Sequence, residues 1–256
     1  MKNPFGFRFL GVALAALCLQ AALQGCDKDK PMPAAPAQVK LGSSPTFGSY
    51  LTDADGMTLY FFIRDADGAS ACTGNCPTEW PPFYDKDLAV GPGLDAGDFG
   101  VITRADGGMQ NTYKGLPLYH FANDAAAGDT KGDGFGTRWF VAKPDYTVFL
   151  AEKGTSRYLV EGNAPGKTLY QFAKDSVNVS NCHDACLVAW PRFFTDRVVV
   201  PSILKAADFG TITRSEGKLQ NTYQGKPLYF FAADLGRGDV RGMNIANWML
   251  APAPAN

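Results

Sequence analysis

The chain has 256 residues, with 24 Lys and Arg against 25 Asp and Glu, a net charge of −1. Hydrophobic residues make up 46% of it and charged residues 19%, the balance of a folded globular chain and not of a disordered one. With no basic excess, nothing draws it to nucleic acid, and no nucleic-acid partner is expected.

Lys2 and Arg8 lead into an apolar run from Phe9 to Leu23, closed by Gln24-Gly25-Cys26. That order predicts a signal peptide over residues 1–25. The run is shorter than the roughly 20 residues a membrane-spanning helix needs, and no later stretch approaches that length, so no transmembrane helix is expected. The leader resembles that of bacterial lipoproteins, in which cleavage leaves the cysteine, here Cys26, as the lipidated N-terminus. The plainer reading is a secreted protein cut nearby. Asp27 resembles the signal that retains some Gram-negative lipoproteins in the inner membrane, which would put the chain on its periplasmic face; the outer membrane is the other location. Residues 26–38, charged and then rich in Pro and Ala, read as a flexible tether.

Beyond the tether one phrase recurs four times: Gly, any residue, Thr or Pro, Leu, Tyr, any, Phe, two more, Asp. It runs from Gly56 to Asp65, Gly115 to Asp124, Gly166 to Asp175 and Gly225 to Asp234. Residues 58–132 also align without a gap on 168–242, with close to half the positions identical. The chain is therefore two tandem units, 39–145 and 146–252, each long enough for its own core.

The predicted fold class is mainly β, two homologous β-rich units of antiparallel hairpins. Short apolar stretches, Tyr50-Leu51-Thr52 and Met57 to Ile63, flank the turn cluster Asp53-Ala54-Asp55-Gly56. On a strand Tyr60 and Phe62 face one side, Leu59 and Phe61 the other; both sides are apolar, which predicts burial. Further strands are expected at Gly100 to Arg104, Met109 to Tyr113, Gly210 to Arg214 and Leu219 to Tyr223. A short helical turn is predicted at Cys72–Cys76 with Trp80-Pro81, and at Cys182–Cys186 with Trp190-Pro191. Ser70 and Ser180 are candidate caps, and both cysteines and the tryptophan should point at the sheet.

Apart from Cys18 and Cys26, the cysteines form two repeated pairs. In an oxidising compartment they predict disulfides; of the three pairings open to four cysteines, the internal symmetry favours Cys72 with Cys76 and Cys182 with Cys186. Structural stapling is the first reading, with a redox switch or a thiolate metal site as alternatives. The two histidines are not equivalent between units, since His120 aligns with Phe230 and His183 with Thr73; His183 reads as a surface residue before it reads as a metal ligand. Asp65, Asp124, Asp175 and Asp234 end the four phrases, where Asp commonly bonds nearby amides and shapes a turn. The two acidic Gly-containing loops, from Asp53 and from Asp129, read as turns and not as calcium sites. Arg104, Arg214, Gln110-Asn111-Thr112-Tyr113 and Gln220-Asn221-Thr222-Tyr223 are either a shared binding surface or the polar bonds of a buried hairpin, with the hairpin favoured.

These residues together resemble the bacterial secreted-repeat lipoproteins, known for a Tyr-x-aromatic-x-x-Asp motif carried here by Tyr60, Phe62, Asp65, Tyr119, Phe121, Asp124, Tyr170, Phe172, Asp175, Tyr229, Phe231 and Asp234. The resemblance covers residues 39–252. It implies an envelope location and no settled activity.

With no recurring nucleophile–base pair, phosphate loop or full metal set, the expectation is a non-enzyme with no catalytic residue and no cofactor. The leading reading is a lipid-anchored cell-envelope protein that contacts the membrane through its anchor and binds an unknown envelope protein or small ligand. The alternative is an accessory redox or metal-handling lipoprotein acting through the Cys-x-x-x-Cys pairs. A hydrolase with an acid pair drawn from different strands ranks last.

Overall fold

A computed structural model describes Met1 and residues 38–163 and 165–254. The leader, Cys26 and nearly all of the tether lie outside the described residues. From residue 38 onward the described residues belong to one compact unit.

The first repeat begins with an antiparallel hairpin of β1 (Val39–Ser44) and β2 (Gly48–Asp53), in register from Val39–Asp53 to Ser44–Gly48. Then come β3 (Tyr60–Phe62), a helical turn α1 (Cys76–Glu79), and a three-stranded sheet of β4 (Phe99–Thr103), β5 (Met109–Tyr113) and β6 (Leu116–Pro117). The last strand, β7 (Trp139–Val141), returns to pair with β3. The second repeat gives the same series. β8 (Val148–Lys153) and β9 (Ser156–Glu161) form its hairpin, followed by β10 (Tyr170–Phe172) and α2 (Ala185–Ala189). β11 (Phe209–Thr213), β12 (Leu219–Tyr223) and β13 (Lys226–Pro227) build its sheet, and β14 (Trp248–Leu250) closes on β10. The fold is mainly β, built from antiparallel hairpins in repeated units.

The sheet hairpins sit within a residue of their sequence-based bounds because their turns are specified locally. In the β4–β5 turn Gly107 takes φ +85°, and in the β11–β12 turn Gly217 takes φ +75°, a region that costs glycine nothing and strains other residues. The phrase itself folds differently in its alternate copies. Copies with Thr (Tyr60, Tyr170) form true strands, and Thr58 and Thr168 hydroxyls donate to the carbonyls of Asp129 and Asp239 at 2.6 Å. Copies with Pro117 or Pro227 lose a ladder donor, so their strands stop after two residues and Tyr119 and Tyr229 make isolated bridges, two each. The phrase is a core strand in two of its four copies only.

Alternation in β3 divides the interior as its sequence implies. Tyr60 and Phe62 enter an aromatic cluster of the first repeat with Tyr50, Cys72 and Trp80. Leu59 and Phe61 enter the main core, which both repeats build: Phe61 and Phe140 pack edge-on to Phe149, with ring centroids 5.7 and 6.3 Å apart. Tyr170, Cys182, Trp190, Tyr229 and Trp248 form the matching cluster of the second repeat. The repeats are thus joined by one hydrophobic core, and burial of apolar area is what holds them together.

Candidate functional site

The four phrases meet in pairs. In the first repeat the backbones of Tyr60 and Tyr119 exchange two hydrogen bonds, of 2.8 and 3.1 Å. Each tyrosine then reaches the aspartate of the other copy: Tyr60 hydroxyl donates to Asp124 Oδ2 at 2.6 Å, and Tyr119 hydroxyl to Asp65 Oδ2 at 2.6 Å. The second repeat repeats the exchange, with Tyr170 on Asp234 at 2.6 Å and Tyr229 on Asp175 at 2.8 Å. The expected turn-shaping role of the aspartates is present too. Their Oδ1 atoms accept from Ala71, Lys131, Asn181 and Arg241 amides at 2.7, 3.0, 2.7 and 3.0 Å. One carboxylate therefore satisfies a turn amide and a buried phenol at once.

Burial sets the electrostatics. It pushes the Asp65 carboxyl up to about 7, against the bonds from Tyr119 and Ala71, and raises Asp124, Asp175 and Asp234 in the same direction. Burial, with the facing carboxylate adding to it, raises the four phenols as well, so they are neutral donors.

Phe62 and Phe121 are the ends of a column of four stacked rings. Phe62 lies on Trp139 (centroids 4.1 Å), Trp139 on Trp80 (3.8 Å, 1° between planes) and Trp80 on Phe121 (4.4 Å). Phe172, Trp248, Trp190 and Phe231 stack likewise, at 4.5, 3.6 and 4.3 Å. The two columns use all four tryptophans of the chain. Gly132 and Gly242 pass so close that a Cβ would lie 2.8 and 2.7 Å from the Trp80 and Trp190 rings, which is why the loop carries glycine there. The sequence does not single out Trp139 and Trp248: the alignment of 58–132 on 168–242 ends before them, and pairing them takes a one-residue gap in the loop that follows Gly132 and Gly242.

Both disulfides form, Cys72–Cys76 and Cys182–Cys186, each with a Cα separation of 5.3 Å. Cys72, Cys182 and the tryptophans are buried. The helical turn is shorter than expected: α1 starts at Cys76 and α2 at Ala185, so the first cysteine of each pair precedes it. Ser70 and Ser180 do not cap it. Ser70 Oγ instead accepts from Arg104 Nη1 at 2.8 Å and lies 2.7 Å from Tyr119 hydroxyl, and Ser180 Oγ bonds Arg214 and Tyr229. A buried guanidinium needs an acceptor more than a helix end does, and it takes the serine hydroxyl.

The shared polar residues belong to that interior. Arg104 is buried, with Nη1 on Gln110 Oε1 at 2.7 Å and Nη2 on the Cys72 carbonyl at 2.7 Å; Gln110 Nε2 donates to the Leu118 carbonyl at 2.8 Å. Arg214 and Gln220 make the same bonds to Cys182 and Leu228. Asn111 and Asn221 accept from the amides of Asp85 and Thr195 at 2.6 Å. These residues tie hairpin to disulfide loop, and the surface-facing reading of them is set aside.

The remaining candidates stand apart. His120 Nε2 is 2.9 Å from Asp53 Oδ2, and His183 is exposed. Among the described residues no group of three or more His, Cys, Asp or Glu is placed to hold a metal ion. The acidic loops are turns, with Asp53 Oδ1 accepting from Asp55 and Met57 amides and Asp129 Oδ2 from Ala125 and Ala126.

A second charged cluster is not common to both units, and the duplication does not reveal it. Arg64, Arg138 and Arg157 converge on Glu152 where the repeats join. Only Arg64 falls in the stretch that aligns without a gap, where Lys174 is its counterpart; at the places equivalent in the fold, before β14 and in β1 and β2, stand Asn247, Ser43 and Ser49.

What the geometry defines is a disulfide-stapled β-repeat protein in which paired half-repeats clasp each other through tyrosine and aspartate. A family model described as a secreted repeat of unknown function matches residues 44–84, 100–143 and 210–251, and the chain belongs to that family. Each match holds one copy of the phrase, so the family's repeat corresponds to one partner of a clasp. The family's description as secreted agrees with a place outside the cytoplasm, and no helix among the described residues is long and apolar enough to cross a membrane. No curated protein and no solved structure matches the chain.

Proposed function

We propose that the chain is a non-enzymatic, lipid-anchored protein of the cell envelope, attached through Cys26 and presenting two fused repeats as a rigid body that binds an envelope protein or a small ligand. The observation that carries this reading is where the repeated chemistry goes. The tyrosines, aspartates, arginines and glutamines that recur between units are spent on one another in the interior, so the surface that differs between units is left for recognition. In a Gram-negative cell, Asp27 supports the periplasmic face of the inner membrane over the outer membrane. The redox or metal-handling alternative uses the same cysteines. Complete burial of Cys72 and Cys182, with their carbonyls held by Arg104 and Arg214, supports a staple over an exchanging thiol.

Labelling of growing cells with radioactive palmitate, followed by membrane fractionation, tests the reading. The parent chain is expected to carry label and sediment with the inner membrane, and Cys26→Ser to lose the label. An unlabelled parent recovered as free protein refutes the anchor.

A further inference from the structure

The seam cluster is built from both repeats. Arg64 follows β3 and Arg138 precedes β7, while Glu152 and Arg157 are cross-strand neighbours on β8 and β9. Arg64 Nε donates to Glu152 Oε1 at 2.7 Å, Arg138 Nε reaches both carboxylate oxygens at 2.9 and 3.0 Å, and Arg157 Nη2 donates to Oε2 at 2.9 Å. These four side chains, with Gly154 and Thr155, line a cavity of about 560 Å³.

Three guanidiniums face the carboxylate of Glu152, and Arg64 and Arg138 share it with Arg157. Glu152 stays ionised and remains the anchor of the three arginines. Burial works against the Glu152 charge, yet the bonds from Arg138, Arg157 and Arg64 outweigh it and hold the carboxyl down to about 2. Arg64 and Arg138 spend only Nε on Glu152, and their Nη groups make no hydrogen bond to any described residue. Each therefore keeps planar N–H donors of the kind that grip an oxyanion two-pronged. The cluster occurs once, because Lys174, Asn247, Ser43 and Ser49 stand at the matching positions of the other repeat.

We infer that this cavity is an oxyanion site for a phosphate dianion, free or as a monoester. Arg64 and Arg138 are its outer grip, and Glu152 with Arg157 is the fixed base that orients them. The inference deepens the binding reading above and rests on it. The planar forks of Arg64 and Arg138 suit the several oxygens of a phosphate dianion better than a spherical ion such as chloride.

Calorimetric titration of the full chain in detergent, at low ionic strength where screening is weak, provides the test. The probes are inorganic phosphate and a water-soluble short-chain phosphatidic acid. Saturable binding of at least one, with a Kd tighter than about 1 mM, is expected. Phosphate binding identifies a free ligand, and binding of the lipid alone identifies a membrane headgroup. Arg64→Gln with Arg138→Gln should weaken binding about tenfold or more, whereas Lys174→Gln should leave it unchanged. If the double variant fails to fold, Arg64→Gln alone, at a side chain 48% exposed, must still weaken it measurably. No saturable heat from either probe up to about 10 mM, or unaltered binding by the arginine variants, overturns the inference. A chain that takes palmitate yet binds neither probe keeps its envelope role and loses this site; one that binds phosphate without palmitate does the reverse.

Discussion

Replacing Tyr119 by Phe isolates one half of a clasp. The ring and its packing stay, and the hydroxyl that donates to Asp65 Oδ2 at 2.6 Å is removed. Asp65 is 0% exposed, so no water takes the donor's place and the carboxyl keeps only the Ala71 amide. At about pH 8, where Asp65 is ionised, a hydrogen bond to it is worth about 1.5–3 kcal/mol, and a unit of this size shifts its Tm by about 2–4 °C per kcal/mol, which predicts a drop of about 3–12 °C. Thermal unfolding followed by circular dichroism measures it. The double-mutant cycle with Asp65→Asn should show a coupling of about 1 kcal/mol or more, since the two groups touch. A Tyr119→Phe protein within about 0.5 kcal/mol of the parent, or additive single effects, would refute the clasp as a source of stability.

The pH dependence of stability follows from two carboxyls. Asp65, raised to about 7 when folded, favours the folded state fully below its ordinary value and gives that up as pH climbs through about 7. Glu152, held to about 2, contributes above its ordinary range and loses this as pH falls toward about 2. Unfolding scans from pH 2 to 8 should therefore peak in mildly acid solution, with Asp65→Asn flattening the alkaline slope and Glu152→Gln the acid one; slopes unchanged in both variants contradict the assignment. The disulfides should behave as staples. Free-thiol mass spectrometry under graded dithiothreitol should show both pairs resisting reduction until the protein unfolds, and removing one pair as Cys72→Ala with Cys76→Ala should cost about 2 kcal/mol for so short a loop. Ready reduction in the native state would favour redox work instead.

Strand bounds such as β5 at Met109–Tyr113, the pairing of the cysteines and the two-sided burial of Leu59-Tyr60-Phe61-Phe62 were legible because each is decided within a few residues, by turn chemistry or by side-chain alternation. The helical turn departs from its sequence-based form where a long-range partner intervenes: Ser70 has the residue type of a local cap, yet Arg104, 34 residues on, claims it. Internal duplication marks fold residues and not a surface. It points to Arg104, Gln110 and Asn111, which recur because the fold needs them, and away from Arg64, Arg138, Glu152 and Arg157, which do not recur.

By itself the sequence determined the repeat, its mainly β character, the disulfide pairs and the aromatic payload, since periodicity, turn residues and duplication are local or self-referential signals. Tertiary structure alone decided that Tyr60 answers Asp124 across 64 residues, that Trp80 stacks on Trp139, and that three arginines gather on Glu152 at the seam. The physical reason is the same in each case. A hydrogen bond between buried side chains, a ring stack or an ion cluster is set by which surfaces the common core brings face to face, and that core is formed only when both repeats close on it.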